Sequence, residues 1–220
     1  MPTVSNSDPA PAQASDPEIL RHSARNRLVH WATAACFLVA TATGLALYWR
    51  SILGWLLPVF GGKESAVNFH FWSGVGLAIF TLLLYLAWRG VARWSPVDTE
   101  FVRNLRKYAA GPGQTQLPGT GFFNGGQKLY FWSVVWGVAV LFATGLVWWF
   151  RKDLPHPVYA VCRTTHRILA VVMSAGLLVH IYKATIGEPG TFRSMIGGKV
   201  TRHWARTRRP GWISDSDQSE

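Results

Sequence analysis

Three stretches of this chain, residues 28–48, 66–88 and 129–150, contain no Asp, Glu, Lys or Arg. A bilayer-crossing α-helix needs about 20 predominantly apolar residues, and inside lipid a helix satisfies its own backbone groups. A fourth apolar block, 168–182, reaches spanning length only by including Arg163, Arg167 and Lys183 at its ends. Their long stems can snorkel to the headgroups; a buried or re-entrant helix is the alternative for this block. The expected fold is an all-α membrane protein, a four-helix transmembrane bundle with spans at about 28–48, 66–88, 129–150 and 163–184. Twelve tryptophans in 220 residues agree with this, because indole collects at membrane–water interfaces.

The basic residues set an expected orientation. Three precede the first span and six lie in the second connection, with seven more after the fourth span; the first and third connections hold two and four. Positive residues concentrate on the cytoplasmic side, so both termini are expected in the cytoplasm of a bacterium, with the bundle in its inner membrane. The formal net charge of +11 then needs no nucleic-acid partner, because the basic residues lie between lipid-spanning blocks rather than on a soluble face.

Residues 1–26 are expected to form a disordered cytoplasmic tail. Their first twenty, rich in Pro, Ala, Ser and Asp, lack the apolar core of a signal peptide. Residues 27–188 form the membrane domain and 189–220 a basic cytoplasmic tail. The second connection reads as a short surface helix near SPVDTEFVRNLRKY followed by an irregular Gly/Pro-rich loop. Cys36 and Cys162 are far apart, and no CxxCH occurs, so neither covalent haem attachment nor an iron–sulfur cluster is supported.

Seven histidines carry the functional information. His22, His156 and His203 fall in polar flanks and read as surface residues. His30, His70, His166 and His180 fall in or at the first turn of apolar spans, where ionisable groups are costly and mark pathways or ligand sets. Between His166 and His180, fourteen helical residues rise about 21 Å and rotate to within roughly 40° of four full turns. Their imidazoles therefore share one helix face near opposite membrane surfaces. Following the topology, His180 and His30 share the cytoplasmic depth, and His166 and His70 the outer depth.

Two His–His pairs stacked across the membrane suit six-coordinate, low-spin haem iron with both axial positions filled, whose chemistry is one-electron transfer. Gly44, Gly74, Gly76, Gly145 and Gly176 offer flat places where a porphyrin or a neighbouring helix approaches. A metal transporter is expected to bring acidic ligands, and none lies in a span. A haem-free anchor or small transporter stands as the alternative of a different class.

Four stretches resemble the gamma subunit of membrane-bound formate dehydrogenase, a cytochrome b. They are RLVHW…FLVATATGLAL (27–47), NFHFWSGVG (68–76), FFNGGQKLYFW with ATGLVWW (122–149), and HRILAV…HIYKATIGEPGTFRSMIGGKVTRHWARTRRPGW (166–212). The HW…TGL pattern is shared with hydrogenase and other respiratory b-type cytochromes, which form the second reading. The resemblance implies two haem b groups, an outer one on His70 and His166 and an inner one on His30 and His180. It implies an iron–sulfur subunit and a molybdenum- or tungsten-dependent catalytic subunit as partners, and quinone (menaquinone or ubiquinone) reduced beside the inner haem near Asn124 and Gly126. Asn124 can donate to a quinone carbonyl, and Gly125 and Gly126 allow close backbone approach; a plain helix start with Lys128 at the headgroups is the other reading. The outer loop around PVFGGKESA and the turn RKDLPHP are the expected meeting places with the iron–sulfur subunit.

Overall fold

The computed structural model describes residues 16–106, 119–150 and 155–217, with side chains as far as Ile213. The expected disorder before residue 16, the loop at 107–118, the turn at 151–154 and the end of the tail lie outside the described residues.

Four long apolar helices dominate. They are α1 (Ala24–Tyr48), α3 (Lys63–Trp88), α5 (Gly125–Trp149) and α6 (His156–Tyr182), the last running on through a π-helical turn, Lys183–Gly187. Each is long and apolar enough to cross a membrane. Their outer faces expose Leu38, Ile79, Leu82, Leu86, Trp136, Val172 and Leu178. An apolar surface of this kind suits lipid rather than water. The fourth helix is longer than the apolar block predicts. It begins at His156 behind Pro155, and Pro157 sits where a helix has no need of a backbone donor. Arg167 stays within it by laying its guanidinium over the rings of Tyr48, at 4.6 Å, and Trp148, at 5.3 Å.

Halfway between the ends, one buried side chain from each long helix meets the others: Phe37, Leu77, Val138 and Met173. Gly137 lets α6 come close here, since a Cβ at that position would run into the Met173 thioether.

Between α1 and α3 lie a short helix α2 (Arg50–Leu53) and a 3₁₀ turn, Gly54–Phe60, closed by Gly61 at φ 77°. The second connection holds α4 (Pro96–Arg103), opened by a Ser95/Asp98 capping box with Pro96 in the first turn. The expected short helix is therefore present, over PVDTEFVR. It is also stapled inward. Lys128 Nζ lies 2.7 Å from Asp98 Oδ2 and donates to the Arg93 carbonyl at 2.8 Å, and Asp98 is 1% exposed. Asp98 also accepts from the Ser95 backbone and hydroxyl, the full satisfaction a buried ion pair requires. Lys128 does not reach the headgroups.

The N-terminal flank departs from expectation. Glu18–Leu20 forms β1, which pairs antiparallel with β2 (Lys199–Thr201) in the register Ile19↔Val200. The carbonyl of Gly198 accepts from the backbone of both Arg21 and His22. A Cβ at Gly198, whose φ is 83°, would strike the His22 carbonyl, so only glycine suits the position. Arg21 and His22 are buried, and the segment 16–26 is folded rather than a loose tail; His22 is no surface histidine. The C-terminal segment folds over the same end as α7 (Thr191–Gly197), α8 (Arg202–Arg208) and α9 (Pro210–Asp217), with a cluster of Val200, Ala205 and Ile213 beneath. These short-range signals were too weak to read, because the partners lie more than 170 residues apart in sequence. Both flanks of the bundle thus sit at one end.

Candidate functional site

The four intramembrane histidines meet in two pairs. His70 of α3 and His166 of α6 have ring centroids 6.1 Å apart. His30 of α1 and His180 of α6 have centroids 6.3 Å apart. Metal–imidazole bonds of roughly 2 Å on both sides of one ion place the two ring centres about 6 Å apart. Each level is therefore spaced for one ion between two nitrogens. Among the described residues no group of three His, Cys, Asp or Glu converges. A tetrahedral zinc site would lack ligands here, whereas porphyrin iron brings four nitrogens of its own and asks the protein for two.

The orientation of the first pair is set from outside the ring. His70 Nδ1 lies 2.9 Å from the Ala40 carbonyl, which can only accept, so Nδ1 carries the proton and Nε2 is free to bind. Thr43 Oγ1 stands 3.2 Å from the same nitrogen. On the other side of the bundle Thr144 Oγ1 lies 3.0 Å from His166 Nδ1. Gly44 faces the His70 ring, and a Cβ there would come within 2.9 Å of its Cε1; at Gly145 the same atom would be 3.4 Å from the His166 ring. Both glycines serve ring approach. Gly74, one turn from His70 on the same face, has open space where a side chain would stand, while Gly76 meets the Cys36 sulfur. Gly176, one turn from His180, has only the Tyr130 ring near it, at 3.9 Å.

The second pair is held by aromatic rings. Tyr130 of α5 stacks on His180 with centroids 4.5 Å apart and an interplanar angle of 6°. Trp88, ending α3, lies 6.5 Å from His30, and Trp31 packs edge-on to it at 5.3 Å. His30 Nδ1 is buried with no hydrogen-bond partner.

Asn124 and Gly126 lie at the start of α5, on the side of the second pair. Asn124 is 3% exposed and heads a capping box: its carbonyl oxygen accepts from Gln127 N at 2.9 Å, and the Gln127 side chain returns to Asn124 N. Its amide donates to Glu188 at 3.1 Å. Glu188 also takes Arg209 at 2.7 Å, and Arg209 reaches Gln127 at 3.1 Å. Burial works to raise the Glu188 pKa, but the Arg209 charge and hydrogen bond outweigh it, holding the carboxyl below its usual range. Gly125 is needed for packing: a Cβ would come within 2.7 Å of the Asp98 carbonyl in α4. The room expected there for a ligand is taken by the protein. Gly126 is less crowded, with its nearest neighbour at 3.4 Å.

Four further residues bear on the two levels, Arg21 and His22 at this end and Thr43 and Thr144 at the first pair. Arg21 is sandwiched among the rings of Phe122, Trp204 and Trp212 and donates to the Phe122 carbonyl at 2.9 Å. Burial and then the nearby Arg209 charge pull its pKa down to about 9. His22 packs on Trp88 and Phe122, and burial with the Arg21 charge holds it neutral, its pKa down at about 3. No periodic pattern marks these positions. Thr43 and Thr144 were legible in principle, since ATGL occurs twice, at residues 42–45 and 143–146.

The chain is similar to cytochrome b subunits over most of its length. It is 28% identical over 207 residues to the cytochrome b556(Fdn) subunit of the nitrate-inducible formate dehydrogenase of Escherichia coli (strain K12), covering 92% of this chain and 93% of that one. It is 30% identical over 201 residues to the cytochrome b556(fdo) subunit of formate dehydrogenase from the same strain, covering 90% and 92%. A third relative, the formate dehydrogenase cytochrome b556 subunit of Haemophilus influenzae, is 28% identical over 215 residues. The profile of the prokaryotic cytochrome b561 family matches residues 21–198, a span that contains all four helices and both histidine pairs. This chain belongs to the prokaryotic cytochrome b561 family.

Proposed function

We propose that this chain is the membrane cytochrome b subunit of a formate dehydrogenase, carrying electrons across the bacterial inner membrane to quinone. The observation that carries the reading is the pair of imidazole pairs, at 6.1 and 6.3 Å, set at opposite ends of one four-helix bundle. A b-type haem held at each pair would supply reversible one-electron chemistry. His70 and His166 would hold the outer one, and His30 and His180 the inner one. Gly44 and Gly145 keep bulk away from the His70 and His166 rings, and Gly74 and Gly176 leave space one turn from His70 and His180.

The named relatives support formate dehydrogenase over hydrogenase as the setting. An iron–sulfur subunit and a molybdenum- or tungsten-dependent subunit outside the membrane are the partners that the resemblance implies. The excess of basic residues in the N-terminal flank, second connection and tail supports a cytoplasmic location for both termini. On that orientation the second pair faces the cytoplasm. Quinone, menaquinone or ubiquinone, would be reduced there near Asn124 and Gly126. Tyr130, which stacks on His180, is less than two turns along α5 from Asn124. Asn124 has one amide hydrogen beyond its bond to Glu188, and the Glu188–Arg209–Gln127 network holds that side chain still. Asn124 is thus placed to orient a carbonyl, and Gly126 to let it approach.

The test is haem content with single ligand variants. The purified protein should hold two non-covalent b haems, both low-spin. His70→Ala or His166→Ala should remove the outer haem and stop reduction by the partner subunits. His30→Ala or His180→Ala should remove the inner one and stop quinone reduction while the outer haem still reduces. One haem per chain, or two variants from different pairs deleting the same haem, would overturn the assignment.

A further inference from the structure

The two ATGL copies make the same device twice. In each, the threonine is buried, at 0% and 8% exposure, and its hydroxyl donates to the carbonyl four residues back, Val39 or Val140, at 2.7 Å. With its proton committed, the oxygen can only accept, and it lies 3.2 Å from His70 Nδ1 in one copy and 3.0 Å from His166 Nδ1 in the other. The glycine that follows leaves room for the same ring. The device thus acts between helices, α1 on α3 and α5 on α6. Both outer imidazoles are held with Nδ1 protonated and Nε2 bare. The other level has no such device: His30 Nδ1 is buried without a partner, and His180 is held by the face of Tyr130.

We propose that Thr43 and Thr144 are positioning residues that make the outer haem the lower-potential one, so that electron flow from the outer to the inner level is downhill. This rests on the reading of the four histidines as haem ligands. The physical reason is that an acceptor on the distal N–H of a ligating imidazole raises its basicity. A more basic ligand favours the oxidised, more positive iron and lowers the potential at that level. Each ring keeps a second acceptor, the Ala40 carbonyl at 2.9 Å for His70 and the Leu141 carbonyl for His166, so the two threonines stand in equivalent settings.

The experiment is a spectroelectrochemical titration of the intact complex in its native membranes, with each level isolated by a ligand variant of the other. In a His30→Ala background, where only the outer level is loaded, Thr144→Val and Thr43→Val should each raise the midpoint, and Thr144→Ser should leave it near the parent value. In a His70→Ala background the same three substitutions should leave the midpoint unmoved. If Thr144→Val empties the outer level, restoration of both haem and parent midpoint in Thr144→Ser supports the same role for the hydroxyl. A midpoint indifferent to Thr144→Val, or one that moves equally in both backgrounds, overturns the proposal while leaving the ligand assignment intact. Two parent backgrounds that fail to retain one haem each would instead overturn the ligand assignment.

Discussion

At the scale of single residues, the His70–His166 pair shows how little room its rings have. The His70 imidazole lies so close to α1 that a methyl group on Gly44 would press on Cε1 at 2.9 Å, while Gly145 leaves 3.4 Å to His166. Real Cβ atoms do not come as close as the first distance, and the second requires only a small shift. On the proposed reading of the four histidines as ligands to two haems, Gly44→Ala should displace His70 and lower the haem content from two towards one, whereas Gly145→Ala should retain most of it. Pyridine haemochromogen assay of the purified variants separates these outcomes; equal retention by both would show that α1 yields to the added methyl. Each glycine follows a threonine that bears on the same ring, so the dipeptide both aims the imidazole and makes space for it.

At the scale of elements, α6 presents His166 and His180 on one face, and the loops at the second pair's end brace the helices that complete it. The brace between α4 and α5 is the buried Lys128–Asp98 pair. Removing one partner of such a pair strands the other charge, at a cost of roughly 3–5 kcal/mol. Lys128→Met should lower stability by about that much, because Asp98 then faces only the Ser95 donors. The double variant Lys128→Met/Asp98→Asn should recover much of the loss, since the amide still caps α4 and carries no charge. Thermal unfolding in detergent, followed by circular dichroism, measures both; a single variant that melts with the parent protein would mean that the site is solvated. The flanking β1–β2 pairing plays a similar part, tying Arg21 and His22 down over Trp88 and Phe122.

At the scale of the whole molecule, the two histidine levels stand about 21 Å apart along α6, separated by the layer of Phe37, Leu77, Val138 and Met173. That layer is apolar, and the sequence places no Asp or Glu in the apolar blocks, so on the proposed reading electrons cross between the two levels without a carboxylate relay beside them. With quinone on the cytoplasmic side, each turnover moves negative charge inward and takes up protons there. An opposing potential of 100 mV would then cost about 2.3 kcal/mol per electron crossing the full membrane. Reduction of a quinone analogue by the complex in sealed vesicles should generate a potential, negative inside, and should accelerate on addition of an uncoupler. Turnover with no potential and no uncoupler response would place quinone on the outer side.

What the sequence determined by itself is what depends on neighbours along one helix. Charge-free apolar blocks locate the spans because lipid tests every residue of a span at once, and the fourteen-residue spacing of His166 and His180 sets their common face through helix periodicity alone. What only the tertiary structure decided are contacts whose partners are remote in sequence. Arg21 meets the Phe122 carbonyl across 101 positions and Arg209 meets Gln127 across 82, so residues that read as solvated flanks are buried. Lys128 and Asp98, Asn124 and Glu188, and each ATGL threonine with its histidine belong to the same class. Their side chains look like ordinary caps and surface charges until packing brings a second helix beside them, because a hydrogen bond between helices leaves no period in either one.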